Sequence, residues 1–132
     1  MKNLYKIVMV LFFINISNAQ VINFACQNLK NVLLSANPNI NRAGTGWVQQ
    51  NNAYNSNGFW STTYVTIDTN NNGEIEVSEA QQITWLLISN DVTSLVGLEY
   101  FDNLKYLNIS NNQALTSFNL PTLSQLEVLF CF

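Results

Sequence analysis

The feature that most constrains the fold is a spaced apolar pattern that recurs through the second half of the chain. Leu104, Leu107, Ile109, Asn112 and Leu115 fall in the order L-x-x-L-x-I-x-x-N-x-x-L. Ile83, Leu86, Ile88 and Asp91 carry the same pattern upstream, with Asp where the later copy has Asn. Leu126, Leu129 and Cys131 begin it again downstream. Ile83 to Leu104 is 21 residues and Leu104 to Leu126 is 22. The run Ile88-Ser89-Asn90-Asp91 is echoed by Ile109-Ser110-Asn111-Asn112. A nearly constant period of this length marks stacked supersecondary units, none of which buries its apolar face alone. Within each unit the alternation predicts a short strand whose Leu and Ile positions point inward.

Stacking such units aligns the intervening positions on the opposite face. Trp85, Tyr106 and Val128 fall in one column, and Leu87, Asn108 and Phe130 in another. Exposed aromatic side chains on a rigid sheet are common anchors of recognition surfaces, so these six residues are the candidate partner contacts. The competing reading is that an adjoining segment covers some of them. Leu95, Leu98 and Phe101, then Leu115, Phe118, Leu120 and Leu123, supply apolar positions between the strands. Asn112 is expected at a turn, where its amide satisfies backbone groups left unpaired by the bend. Cys131 takes an inward position as a small hydrophobe, and Cys26 and Cys131 are expected to be unpaired, largely buried thiols.

Just before the pattern lies a second motif. Asp68-Thr69-Asn70-Asn71-Asn72-Gly73-Glu74-Ile75-Glu76-Val77-Ser78-Glu79 matches the calcium-loop spacing D-x-[DN]-x-[DN]-G-x5-E at each fixed position. Calcium takes six to eight hard oxygen ligands, which a tight loop offers from positions 1, 3, 5, 7, 9 and 12. Those positions hold Asp68, Asn70, Asn72, the Glu74 carbonyl, Glu76 and Glu79. Gly73 makes the sharp turn, and Ile75 packs the loop onto the core. With neutral Asn at positions 3 and 5, the expected affinity for Ca2+ is weak, on the order of 10⁻⁴ to 10⁻³ M. The role is structural: the ion cross-links the loop and neutralises Asp68, Glu76 and Glu79. The loop resembles those of EF-hand and dockerin-type proteins, but an extended segment rather than a helix is expected before it.

The amino terminus reads as a targeting segment. Lys2 and Lys6 precede the apolar run Ile7 to Ile16, and Ser17-Asn18-Ala19 places small residues before a cut at Gln20. The run is too short for a membrane span, which needs roughly 20 apolar residues, so residues 1–19 are expected to be a cleaved signal peptide. Its removal leaves Lys30, Arg42 and Lys105 against eight acids, a charge of −5. That balance argues against a nucleic-acid partner, which requires clustered Lys or Arg. Residues 20–67 follow as an amino-terminal cap. Phe24 to Ala36 carries Leu29, Val32 and Leu33 at helical spacing, ended by Asn37-Pro38. Asn37 to Asn57 is rich in Asn, Gly and Gln and reads as loop. Phe59 to Ile67 is β-branched and aromatic and reads as a strand.

Together these features resemble the amino-terminal region of secreted bacterial leucine-rich-repeat proteins of the internalin-like, surface-adhesin type. The resemblance implies an α/β leucine-rich-repeat solenoid of about three partial repeats over residues 80–132, with parallel strands and a short helical cap in front. It implies a secreted or cell-surface, non-enzymatic module that binds a protein or surface glycan through its concave face. The chain stops midway through the third unit and reads as a piece of a longer protein. An alternative is a glycan-binding module using Trp47, Tyr54, Phe59 and Trp60, which lie among Asn and Gln. Catalysis is not expected, since there is no His to act as base and no Gly-rich phosphate loop.

Overall fold

A computed structural model describes residues 19–48, 61–89, 91–116 and 120–132. The signal segment up to Asn18, the aromatic residues Tyr54, Phe59 and Trp60, and Phe118 lie outside the described residues, as does the side chain of Trp47.

The first helix, α1 (Gln27–Leu34), forms where the apolar spacing places it and buries Leu29, Val32 and Leu33 on one face. It stops at Ser35, whose N–H returns to the Asn31 carbonyl at 3.0 Å and whose Oγ donates to the Val32 carbonyl at 2.6 Å. Side-chain bonding of this kind competes with further helix, and Pro38 lies just beyond. The single-turn helix α2 (Val77–Ala80) starts at a reciprocal capping box between Glu76 and Glu79.

Five strands follow one another in the chain: β1 (Ala43–Val48), β2 (Ser61–Tyr64), β3 (Trp85–Leu87), β4 (Tyr106–Asn108) and β5 (Val128–Phe130). In space their order is β2-β1-β3-β4-β5. β3, β4 and β5 are parallel, with Leu86, Leu107 and Leu129 in register. β1 runs antiparallel to both β2 and β3. This arrangement overturns the leucine-rich-repeat solenoid with a helical cap expected from the sequence. The described chain is instead a small mixed sheet with parallel and antiparallel pairs and few helices.

The physical reason lies in residues 43–48. Ala-Gly-Thr-Gly-Trp-Val reads as loop because two glycines weaken a strand. Here the segment has a hydrogen-bonding partner on each side. Val65 N–H donates to the Ala43 carbonyl at 3.0 Å, and Thr84 N–H donates to the Gly44 carbonyl at 3.0 Å. Paired backbone groups on both edges outweigh the poor local propensity. The apolar pattern that begins with Ile83 therefore contributes three strands of a sheet that continues past β3 into an unrelated hairpin.

One face of the sheet and α1 enclose the main core. Ala43, Leu86 and Leu107 point there with Leu29, Val32, Leu33, Ile67, Ile75, Ile83, Ile88 and Leu104. The turns between strands add Val92, Leu95, Leu98 and Phe101, all buried. The amino-terminal segment is pinned across the loop before α2, with Ile22 N–H on the Ile75 carbonyl and Val77 N–H on the Gln20 carbonyl, both at 2.9 Å. No described helix is long and apolar enough to cross a membrane.

Candidate functional site

Two places hold the residues singled out in the sequence, and the sheet's outer face is the larger. Register fixes a row that crosses all five strands: Tyr64 opposite Gly44, Gly44 opposite Trp85, Trp85 opposite Tyr106, and Tyr106 opposite Val128. Paired residues in a sheet point to the same side. Gly44 has no side chain, so the rings of Tyr64 and Trp85 approach one another above it, with centroids 5.5 Å apart. Trp85 and Tyr106 stack at 5.3 Å with planes 11° apart, Tyr106 meets Phe130 at 5.6 Å, and Phe130 meets Phe132 edge-on at 5.8 Å. The parallel register also aligns Leu87, Asn108 and Phe130 in a second row on this face.

All six expected contact residues therefore share one surface, but they are not equally open. Trp85 is 6% exposed and Tyr106 7%, enclosed by Tyr64, Leu87, Val128 and Phe130. They are not free-standing anchors. They form the floor of an aromatic cluster whose half-buried rim is Tyr64, Leu87, Asn108, Val128 and Phe130. Burial also raises the Tyr106 hydroxyl pKa, partly opposed by a hydrogen bond with Asn108 and reinforced by the nearby Tyr64. Tyr64 belongs to this site although neither its spacing nor its motif marked it. The signal was Gly44, whose meaning depends on knowing which strands flank it.

The second place is the loop from Asp68 to Glu79. Asn71 and Gly73 take left-handed backbone, at φ 57° and 78°. Gly73 makes the turn its position demands. Ile75 is fully buried and seats the loop on the core, as its position requires. Asp68, Glu76 and Glu79 are buried carboxylates. Each is engaged within the loop. Asp68 accepts from the N–H groups of Asn72 at 3.1 Å and Gly73 at 2.9 Å. Glu76 accepts from the side-chain amides of Asn70 at 3.1 Å and Asn72 at 2.7 Å. Glu79 takes the Thr69 N–H and hydroxyl, each at 2.8 Å, on one oxygen and the Glu76 N–H at 3.1 Å on the other.

Burial works to raise the pKa of Glu79, yet hydrogen bonds with Glu76 and Thr69 hold it below the ordinary carboxylate range. The Glu74 carboxylate turns away to pair with Lys30 at 2.7 Å. Among the described residues no group of three or more His, Cys, Asp or Glu side chains is arranged to hold a metal. The six positions read as calcium ligands lie on one loop, where the side-chain oxygens of Asp68, Asn70, Asn72, Glu76 and Glu79 accept hydrogen bonds from within the loop and the Glu74 carboxylate pairs with Lys30.

Asn112 behaves as its turn position predicts. Its amide donates to the carbonyls of Ile88 at 2.9 Å and Ile109 at 2.7 Å, and its oxygen accepts from Val92 N–H at 3.1 Å. It thereby ties one strand-turn unit to the previous one.

The two thiols are both free, but the expectation that both are buried holds only for Cys26. Cys131 is exposed, because β5 is an edge strand and no further strand lies over that position among the described residues. Burial would raise the Cys26 thiol, but hydrogen bonds from the Thr93 hydroxyl and from the backbone of Thr93, Leu29 and Ser94 lower it to about 7.

No family model, curated protein or solved structure matches this chain.

Proposed function

We propose that this chain is a binding module of a secreted or cell-surface protein, recognising a macromolecular partner through the outer face of its sheet. The observation that carries this reading is the row Tyr64, Trp85 and Tyr106, held in register by backbone pairing across Gly44 and extended by ring contact to Phe130 of the neighbouring row. Aromatic side chains bring large contact area with few torsions to immobilise, and clustered aromatics centre many recognition sites. Trp85 and Tyr106 fix the platform, so contact falls to Tyr64, Leu87, Asn108, Val128 and Phe130. Export rests on the residues up to Ala19, and a protein partner is favoured because the aromatic rows span several strands and offer a broad contact area.

The test is saturable binding of the labelled full chain to intact cell surfaces, comparing the native protein with a Leu87→Ala, Phe130→Ala double variant. Loss of rim contacts is expected to weaken binding at least about tenfold, and protease treatment of the cells is expected to abolish it. Binding that survives protease but not glycan removal would transfer the site to the glycan reading. Equal binding by native and double-variant protein would overturn the sheet-face assignment.

Calcium at the Asp68–Glu79 loop is part of the same proposal, supported by the spacing of its oxygen-bearing residues and by the three buried carboxylates. A melting temperature that rises in millimolar calcium and falls with chelator is the expected result. A curve indifferent to both would remove the ion from the reading and leave the loop held by its own hydrogen bonds.

A further inference from the structure

Arg42 sits between α1 and β1, with its backbone built into the sheet: its N–H donates to the Ile40 carbonyl and its carbonyl accepts from Leu87 N–H, both at 2.8 Å. Its side chain has no such anchorage. The guanidinium Nε and Nη1 are buried without a hydrogen-bond partner among the described residues. The other two described cationic side chains are paired, Lys30 with Glu74 at 2.7 Å and Lys105 with Glu127 at 3.1 Å. An arginine side chain has five N–H donors and no acceptor, and enclosing such donors unpaired costs free energy that an acceptor recovers.

Arg42 lines a hollow of about 320 Å³, whose other walls are Asn28, Asn31 and Val32 of α1 and Ser35 at its end. Among the described residues no carboxylate lines it. Asn31 accepts from Gln27 Nε2 at 2.9 Å through Oδ1, which leaves its Nδ2 hydrogens to donate. Asn28 Nδ2 makes only a long contact of 3.4 Å with the Asp91 carbonyl. The hollow thus presents one positive charge and neutral amide donors, with its one hydroxyl turned to the Val32 carbonyl.

We propose that this hollow binds a carboxylate, held by Arg42 and the side-chain amide of Asn31. A single guanidinium matches the single charge and planar shape of a carboxylate. A phosphate dianion would be left half neutralised there. The volume is at the low end of small-molecule sites, enough for one acidic unit such as a glutamate side chain or a sugar acid. The site shares no residue with the aromatic sheet face, so it stands or falls independently of the binding surface proposed there.

The experiment is a titration of the full ¹⁵N-labelled chain with sodium acetate, N-acetylglutamate N-methylamide and sodium glucuronate, followed at the Arg42 Nε–H and Asn31 side-chain resonances. Sodium chloride and sodium phosphate serve as comparison salts. Saturable shifts with acetate are expected, weakened about tenfold or more in Arg42→Gln and unchanged in Lys105→Gln. Tighter binding of the glutamate derivative or of glucuronate than of acetate supports the site and names its source. Asn31→Asp supplies the carboxylate internally, and should raise the melting temperature and abolish the acetate response. The proposal is overturned by shifts no different from those in chloride, by tighter binding of phosphate than of acetate, or by an Asn31→Asp variant that melts as the native chain does and still binds acetate.

Discussion

Two kinds of strand pairing meet at β3, and they solve the same problem differently. On one side β3, β4 and β5 are parallel three-residue strands separated by a near-constant period, so like residues stack on like: Leu86 on Leu107 on Leu129. On the other side β1 and β2 form an irregular antiparallel hairpin, with a register shift between Thr45 and Val48. The periodic side builds its core from repetition and ties neighbouring turns together through Asn112. The hairpin side has no repetition to draw on. It covers the exposed edge of β3 and continues both faces, with Ala43 extending the inner row and Gly44 opening the outer row to Tyr64. An uncovered edge strand is a template for unwanted pairing, so the hairpin shields the first repeated strand at the cost of breaking the periodicity.

The comparison can be broken most severely from the periodic side. Leu107 is fully buried at the centre of the inner row. Leu107→Ala should cost about 2–5 kcal/mol in denaturant unfolding, the range for emptying a tightly packed leucine site. Destabilisation no greater than that of an exposed substitution would mean the three parallel strands do not share one core.

From the hairpin side the expected effect is smaller and optical as well as thermodynamic. Gly44→Val places two methyl groups where the Tyr64 and Trp85 rings meet. Overpacking of this kind should cost about 1–3 kcal/mol. It should also change the near-ultraviolet circular dichroism of the aromatic row while far-ultraviolet signal persists. Retention of the native aromatic spectrum would show that the rings do not meet over residue 44.

The smallest effect sharpens the junction between the two sides, where the acidic loop leads into α2 and β3. Because Glu79 has its pKa depressed in the folded state, its stabilising contribution is present above the unfolded carboxylate value. It is lost as pH falls through the lower folded value. Glu79→Gln should therefore lower stability by about 1 kcal/mol at neutral pH through the weakened capping box, and flatten the acid limb of the stability curve. A parallel displacement of the whole curve would assign the titration to another group.

How much of this was legible beforehand follows the range of the forces involved. The period from Ile83 through Leu126 predicted parallel in-register strands correctly, because alternation and turn geometry are local. The helix buried through Leu29, Val32 and Leu33 was legible for the same reason, as were the roles of Gly73, Ile75 and Asn112. The stacking of Trp85 with Tyr106 and the alignment of Leu87, Asn108 and Phe130 also follow from register alone.

The amino-acid order thus determined which side of each periodic strand faces the core and which of their residues share a row. Tertiary structure decided what lies beside each row. It drew the glycine-bearing segment 43–48 into the sheet against its own propensity, enclosed Trp85 and Tyr106 in an aromatic cluster, and left Cys131 in the open. It also set Arg42 beside a hollow with no acid among its described walls. Direction along a strand is set by bonds between near neighbours, whereas burial and charge pairing depend on which distant segment arrives alongside, and no short-range pattern encodes that.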